Sequence, residues 1–253
     1  MTEKSDHIFD GIAAKFADNI YGTTKGKLRQ IMLCEALAPF VEISENTQPK
    51  KVIEVGGGTG VMAAHLASLG HSVLLTDGSE DVLEHAKENL KTFSNVDIQH
   101  QYLLDIQNME HYDLVVCHAV LEWLNDPYQA IQFLYDNMRK GAILSLSFFN
   151  RDANLMTNAI YGNFDYIAQG MKVRNQVRLN PKNPLPAKQA SDFCESIGFS
   201  VKAKTGIRCF HDYLKNPEHQ TTQFEGLLTL ERTYNQTEPF MWLGKYFHLV
   251  LEK

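Results

Sequence analysis

The chain has 253 residues, of which 44% are hydrophobic and 21% are charged. This composition fits a globular protein with a large buried core and excludes disordered, collagen-like and coiled-coil chains. With 24 basic and 30 acidic residues the net charge is −6. A uniformly basic coat for nucleic acid is therefore excluded, although a local basic patch is not.

The cysteines and the N-terminus narrow the class further. The four cysteines stand far apart and form no C-x-x-C pair: Cys34, Cys117, Cys194 and Cys209. This spacing favours reduced thiols over a disulfide framework or a zinc site, and we expect no metal. No run approaches the roughly 18 apolar residues of a membrane span, and the charged N-terminus lacks a signal-peptide core. We expect a cytoplasmic protein that does not bind a membrane.

From residue 51 onward, short apolar runs alternate with longer helical patterns, which is typical of a parallel sheet covered by helices. Five strands are predicted, at KVIEV (51–55), SVLLTD (72–77), VDIQHQ (96–101), YDLVVCHA (112–119) and AILSLSFF (142–149). Helical patterns lie between them near 60–69, 79–92 and 127–138. Two later runs, 198–210 and 244–253, predict further strands, with a helix from about 217 to 234 between them. Together these runs predict a mixed sheet that is closed by an antiparallel strand.

The flanking segments are less regular. Residues 8–43 predict two helices separated by a loop at 21–27, where Gly22 and Gly26 stand beside two threonines. Residues 150–187 lack periodicity and end in NPKNPLP, which predicts an irregular cap over the site and no separate domain. We expect a single domain made of an N-terminal helical cap (1–45), a cofactor-binding core (50–149), a basic cap insertion (150–187) and the C-terminal part of the sheet (188–253).

A glycine-rich turn follows the first predicted strand and contains Gly56, Gly57, Gly58 and Gly60. Glycine lets the backbone turn sharply and approach a ligand, and the next helix offers unpaired N–H groups at its N-terminus. Asp77 ends the second strand, 21 residues after the first glycine, where an acidic side chain meets ribose hydroxyls. The two features predict a nucleoside-containing cofactor.

The turn favours a cofactor without pyrophosphate. Position 61 is Val, so the order departs from the dinucleotide pattern G-x-G-x-x-G, which is no loss for S-adenosylmethionine. We expect Glu54 to accept from the backbone of the turn, close to a cationic cofactor. The alternative for Glu54 is a solvated charge at the end of the strand. For Asp77 the alternative is a cap of the following helix.

Several segments resemble the bacterial tRNA 5-carboxymethoxyuridine methyltransferases, a family of class I S-adenosylmethionine-dependent methyltransferases. They are EVGGGTG (54–60), YGTTKGKLRQ (21–30), HAVLEW (118–123), GNFDY (162–166) and TGIRCFHDYL (205–214). The resemblance covers nearly the whole chain and departs from the family at Thr59. It implies a Rossmann-like α/β sheet, mostly parallel with an antiparallel C-terminal strand and helices on both faces. It also implies methyl-ester formation on a modified wobble uridine, with the tRNA anticodon stem-loop as partner and S-adenosylhomocysteine as product.

The resemblance also implies site residues. Cofactor contacts fall on Arg29, Gly56, Gly57, Asp77 and His118, with a backbone contact near Leu104, and we add Glu54 and Gly58 from the turn itself. His118, at the end of the fourth strand, is expected to form part of the cofactor wall. Glu122 and Trp123 are expected either to line the pocket floor or to belong to the core.

The expected reaction needs no catalytic base. A carboxylate is already ionised at neutral pH, so its attack on a sulfonium methyl group requires orientation and fixed donors for the anion. Since the resemblance assigns Arg29 to the cofactor, we expect Arg208 to orient the substrate acid, with Tyr21 and Lys25 as second choices. A surface charge is the alternative for Arg208. His211, Asp212 and Tyr213 either contact the nucleoside or are structural.

A basic stretch lies within the expected cap. No Asp or Glu occurs from residue 166 to 191, and five basic residues fall there: Lys172, Arg174, Arg178, Lys182 and Lys188. Phosphate contacts dominate RNA affinity, so this stretch predicts an RNA-binding surface, with Phe164 and Tyr166 as stacking platforms. A solvated loop is the alternative. Competing functions are a small-molecule methyltransferase with the same cofactor, a non-catalytic cofactor- or RNA-binding module, and a dehydrogenase.

Overall fold

The computed structural model describes residues 23–44, 48–171 and 181–253. Its centre is a seven-stranded sheet in the order β3-β2-β1-β4-β5-β7-β6. The strands are β1 (Lys51–Val55), β2 (Ser72–Asp77), β3 (Val96–His100), β4 (Leu114–His118), β5 (Ile143–Phe149), β6 (Ser200–Ile207) and β7 (Tyr246–Glu252). The first five are parallel, and β7 runs antiparallel to both β5 and β6. The predicted mixed sheet is confirmed.

Helices cover both faces of the sheet. They are α1 (Thr24–Val41), α2 (Val61–Ser68), α3 (Glu80–Leu90), α4 (Pro127–Asn137), α5 (Arg151–Ile160), α6 (Phe164–Ala168), α7 (Ala187–Ser196), α8 (His219–Thr222) and α9 (Phe224–Tyr234). Alternate strand residues separate two cores: Val52 packs with α1, α2, α3 and α9, whereas Ile53 packs with α4 and α7. This period of two is what a sheet buried on both faces requires.

The expected loop at 21–27 is wrong for its second half. Helix α1 begins at Thr24, and the Thr23 side chain caps it by accepting from the Gly26 N–H. A threonine at this position satisfies an end N–H group of the helix, so the same residues that suggested a break start the helix. Residues 1–22 lie outside the described part of the chain.

The expected irregular connection at 150–187 is also wrong in part, because it contains α5 and α6. Helix α5 begins where the Asn150 side chain accepts from the Asp152 N–H. Its apolar residues Ala153, Met156 and Ile160 do recur at helical spacing, so a helical period is present in this stretch, although Met156 and Ile160 are exposed and do not face the core. The single helix expected at about 217–234 is divided into α8 and α9, and α7 was not predicted.

The strand order indicates the edge of the sheet where a ligand can bind. From β1 the chain adds β2 and β3 on one side and then returns to add β4 and β5 on the other, so the order of strand addition reverses between β1 and β4. Because β1 and β4 are parallel neighbours, the turns that follow them meet at their carboxyl ends. In open parallel sheets this is where ligands bind. Gly56 follows β1 and Ala119 follows β4, both with positive φ, so both turns are sharp at the first residue beyond the strand.

Candidate cofactor and substrate site

A cavity of about 160 Å³ lies at this edge of the sheet. Its wall includes residues expected from the sequence, namely Arg29, Glu54, Gly56, Gly57, Gly58, Asp77, His118 and Trp123. Leu104 does not line it and is 40% exposed, whereas its neighbour Leu103 does. Sequence reasoning did not identify Gln30, Met62, Val82, Gln101 or Tyr246, which also line the cavity.

The glycine turn packs too closely for larger residues. Gly56 and Gly58 have φ values of 64° and 58°, which favour glycine. A Cβ atom on Gly57 would stand 2.8 Å from Glu54 Cδ and 2.9 Å from Leu75 Cδ1. The Gly57 N–H also donates to the Thr76 carbonyl at 3.0 Å, which fastens the turn to β2. The backbone is therefore held at the cavity wall.

Asp77 connects this turn to the start of α3. Its Oδ2 accepts from the Gly58 N–H at 3.0 Å and its Oδ1 accepts from the Ser79 N–H at 2.9 Å. Burial raises the pKa of Asp77, and the backbone N–H groups oppose that shift. The cap of α3 is Ser79, whose side chain accepts from the Val82 N–H. Asp77 thus occupies the cavity wall and is not the side-chain cap of the helix.

Glu54 is buried beneath the turn, with 4% of its surface exposed, so it is not a solvated strand-end charge. Its Oε2 has no hydrogen-bond partner among the described residues. Burial raises the pKa of Glu54 to about 8, against the opposing effect of the Ala63 N–H. A buried carboxyl group with an unpaired oxygen at the cavity wall fits a cationic ligand group, as S-adenosylmethionine carries.

Arg29, His118 and Tyr246 also line the cavity. The Arg29 guanidinium lies 5.2 Å from the centroid of the Tyr246 ring, and no carboxylate of the described residues forms an ion pair with it. A guanidinium here suits the carboxylate end of an amino-acid-bearing cofactor. Glu122, just beyond the wall, is fully buried, and its burial raises its pKa to about 7 while Arg29 opposes the shift.

His118 is held in an uncharged chain of hydrogen bonds. Its Nε2 lies 2.7 Å from Ser145 Oγ, which lies 2.8 Å from His248 Nε2. Burial lowers the pKa of both rings, that of His248 to about 3, and the nearby Arg29 lowers that of His118 further. A neutral ring in this wall does not repel a sulfonium cation.

Arg208 lies outside the cavity wall and is paired with Asp212. Its Nε is 2.8 Å from Asp212 Oδ2, and its Nη2 donates to Asp212 Oδ1 at 3.1 Å. The pair lowers the pKa of Asp212 to about 2, against the effect of burial. The Arg208 guanidinium also stands 5.5 Å from the Tyr246 ring, on which Arg29 packs as well.

A buried carboxylate fixes the loop that carries these residues. Glu231 of α9 accepts from the N–H groups of Cys209, Phe210 and His211 at 2.7, 2.9 and 3.0 Å. His211 is fully buried beside Asp212, and the Tyr213 hydroxyl donates to the Leu243 carbonyl at 2.8 Å. These contacts join the loop to α9 and to the chain before β7, and no local pattern in the sequence indicates the role of Glu231.

The expected RNA-binding residues are only partly within the described chain. Lys172, Arg174 and Arg178 lie outside it, as does Tyr21. Lys25 is exposed, and Lys188 is exposed and paired with Asp192 at 2.7 Å. The Lys182 N–H donates to the Glu122 carbonyl at 3.0 Å. Phe164 is 67% exposed, and Tyr166 lines a second cavity.

Neither a metal-ligand cluster nor a membrane-spanning helix is found among the described residues. Among residues 23–44, 48–171 and 181–253, no group of His, Cys, Asp and Glu is arranged to hold a metal ion. The same residues form no helix that combines the length and the apolar character needed to cross a bilayer.

Comparison with known proteins gives the same picture. A family model described as a methyltransferase domain matches residues 53–144. The tRNA 5-carboxymethoxyuridine methyltransferase of Escherichia coli K12 is 39% identical over 253 residues, which cover 98% of this chain and 97% of the relative. A ubiquinone biosynthesis O-methyltransferase of Shewanella is 31% identical over 120 residues, which cover 45% of this chain and 49% of the relative.

Solved structures share the fold at low identity. A Haloferax volcanii methyltransferase in complex with the Trm112 activator aligns with a TM-score of 0.65 and 13% identity, over 98% of this chain and 99% of that one. The plantazolicin methyltransferase in complex with SAH aligns with a TM-score of 0.59 and 13% identity, over 96% and 91% of the two chains.

The fold and the cavity together define a class I S-adenosylmethionine-dependent methyltransferase, for which S-adenosylmethionine is the methyl donor. With 39% identity over nearly the full length of both chains, this protein belongs to the tRNA 5-carboxymethoxyuridine methyltransferase family. The expected family, fold class and cofactor are confirmed. The roles of individual site residues stay predictions.

Proposed function

We propose that this protein transfers a methyl group from S-adenosylmethionine to the side-chain carboxylate of 5-carboxymethoxyuridine at the wobble position of tRNA. The observation that carries the proposal is the near full-length match to a relative named for that nucleoside. The electrostatics of the site support it, because Arg29 and Arg208 both lie against the ring of Tyr246, which lines the cavity, and Lys245 interacts electrostatically with Arg208. Such a cluster suits an anionic acceptor.

The cofactor roles follow from the wall of the cavity. We propose that Arg29 binds the methionyl carboxylate, Glu54 its ammonium group and Asp77 the ribose hydroxyls. The glycine turn from Gly56 to Gly58 brings the backbone against the cofactor. Neutral His118 forms the wall near the sulfonium, where a second positive charge would weaken binding.

The chemistry needs no proton transfer from the protein. When bound, the cofactor supplies an electrophilic methyl group on a positively charged sulfur. The new bond joins a carboxylate oxygen to the methyl carbon, and the electrons of the broken carbon–sulfur bond stay on sulfur. The protein's contribution is alignment of the two partners, which in favourable cases lowers a barrier by roughly 7 to 11 kcal/mol. The reaction also neutralises the negative carboxylate and the positive sulfonium, and a desolvated cavity favours this loss of charge.

The acceptor surface is proposed to lie on the cap insertion. Lys182 and Tyr166 line the second cavity, and the ring of Phe164 on the same insertion is exposed. Together with Lys172, Arg174 and Arg178, they would hold the anticodon stem-loop through phosphates and one stacked base. Lys188 contributes less, because Asp192 already pairs with it. We also propose that the chain is one domain with the divisions expected from the sequence, acting on tRNA in the cytoplasm.

The test is nucleoside analysis of tRNA from cells that lack the protein. The proposal predicts that free 5-carboxymethoxyuridine accumulates and that the methyl ester returns when the wild-type chain is restored. An Arg29→Ala chain, defective in cofactor binding, is the matched control and should not restore it. Normal levels of the ester in the deleted strain, where no second enzyme forms it, would contradict the proposal.

A further inference from the structure

Lys245, just before β7, is a buried cation with only neutral direct partners. The residue is 8% exposed, and its ammonium group donates to Asn154 Oδ1 at 3.2 Å and to Thr157 Oγ1 at 3.1 Å. It forms no ion pair with any described carboxylate. Burial lowers the pKa of Lys245 to about 8 while the nearby Asp212 carboxylate opposes the shift, so the ammonium form still predominates at pH 7. Because Asp212 is already paired with Arg208, the buried ammonium has no anion of its own, which makes its burial costly.

Lys245 lines neither cavity, but residues next to it line both. The next residue, Tyr246, lines the cofactor cavity. On the other side, Phe149 and Asn154 line the second cavity, of about 890 Å³, and the Lys245 ammonium lies 5.1 Å from the Phe149 ring centroid. An anionic group that passes Phe149 and Asn154 from the second cavity would therefore reach this ammonium, which adjoins Tyr246 of the cofactor cavity.

Arg208, the residue expected from the sequence, is less available than Lys245. Asp212 already occupies two nitrogens of its guanidinium. The Lys245 ammonium carries three N–H groups, and two of them go to uncharged oxygens on α5. The Lys245 backbone N–H donates to the Arg208 carbonyl at 3.2 Å, so both side chains begin at the same point of the β6–β7 ladder.

We propose that Lys245 binds the carboxylate of the acceptor nucleoside and selects carboxylate-bearing substrates over uncharged ones. This inference rests on the proposed function. The third N–H of the ammonium donates to one carboxylate oxygen and leaves the other for attack on the methyl carbon. Arg208, which stays paired with Asp212, supplies a second positive charge.

The experiment compares two anticodon stem-loop RNAs on the protein loaded with S-adenosylhomocysteine. One carries 5-carboxymethoxyuridine at the wobble position, and the other carries the uncharged 5-methoxyuridine. The ratio of their dissociation constants measures selectivity for the carboxylate. Loss of one charge-assisted hydrogen bond corresponds to about a 10- to 100-fold change. Lys245→Gln is therefore expected to reduce the ratio by that factor, and Lys245→Arg to keep most of it.

A matched control removes a lysine at the opposite edge of the sheet. Lys140→Gln, in the exposed turn before β5, makes the same charge change and should leave the ratio as in the wild type. If Lys245 only joins β7 to α5, its loss will weaken both RNAs equally and the ratio will not change, which overturns the inference. Lys245→Met, which can pack on Phe149, is read by the same criterion if the glutamine variant fails to bind S-adenosylhomocysteine.

The wild-type result separates the two proposals. A wild-type protein that prefers and methylates the carboxylate-bearing RNA, with a ratio insensitive to Lys245, contradicts only the role of this lysine. A wild-type protein without preference or methyl transfer contradicts the proposed function and this inference with it.

Discussion

Replacing Asp77 by asparagine separates a cofactor ligand from a structural link. The two oxygens of the carboxylate each accept one backbone N–H, from Gly58 and from Ser79. Asparagine keeps one acceptor and turns an NH₂ group toward the other N–H. Loss of a charge-assisted hydrogen bond costs about 1.5 to 3 kcal/mol, so the free energy of unfolding of the cofactor-free protein should fall by about that amount.

Cofactor affinity should fall as well, because the proposed contact to the ribose hydroxyls is lost together with the position of the turn. One further charge-assisted bond corresponds to about a 10- to 100-fold weaker dissociation constant for S-adenosylhomocysteine in a calorimetric titration. Asp97→Asn, on the exposed face of β3, is the matched control and should change neither quantity. An Asp77→Asn protein that is less stable but binds S-adenosylhomocysteine normally would refute the ligand role.

Three other substitutions test the environment of the cavity. Gly57→Ala places a Cβ against Glu54 and Leu75 and should lower the free energy of unfolding by about 1 to 3 kcal/mol, measured by urea denaturation; an unchanged midpoint would contradict the tight packing. Because the pKa of Glu54 is raised from 4.5 to about 8, the folded state binds more protons between these values, so wild-type stability should fall relative to Glu54→Gln as pH rises from about 4.5 to 8. Parallel pH profiles would show that Glu54 is not shifted. Glu231→Gln leaves one of three N–H groups at 209–211 unpaired and should cost about 1 to 3 kcal/mol while S-adenosylhomocysteine binding persists; loss of that binding would show that the loop shapes the cofactor cavity.

The sheet and its cofactor edge could be predicted because they depend on local patterns. Buried parallel strands read as apolar runs, and the glycine turn and Asp77 have a spacing that the fold itself dictates. Helix α5 also carries an apolar period, at Ala153, Met156 and Ile160, but Met156 and Ile160 are exposed, so this period does not mark a core-facing helix.

The substrate side depends on contacts between residues far apart in the chain. Lys245 meets Asn154 across 91 positions, and Glu231 holds a loop that begins 22 positions before it. A lysine or glutamate in the sequence has no local sign of such a partner. Arg208 illustrates the same limit, because the pairing with Asp212 that occupies its guanidinium is visible only once the 3-10 turn His211–Tyr213 is folded.

The most direct test of the central claim is the alkaline stability of the transferred methyl group. The purified protein is incubated with methyl-labelled S-adenosylmethionine and tRNA that carries 5-carboxymethoxyuridine, and the product is treated with mild base. A methyl ester hydrolyses under these conditions, so the account predicts that the label leaves the RNA as methanol and that free 5-carboxymethoxyuridine returns. Label that stays on the nucleoside after base would show methylation at nitrogen, carbon or ribose oxygen and would contradict the account.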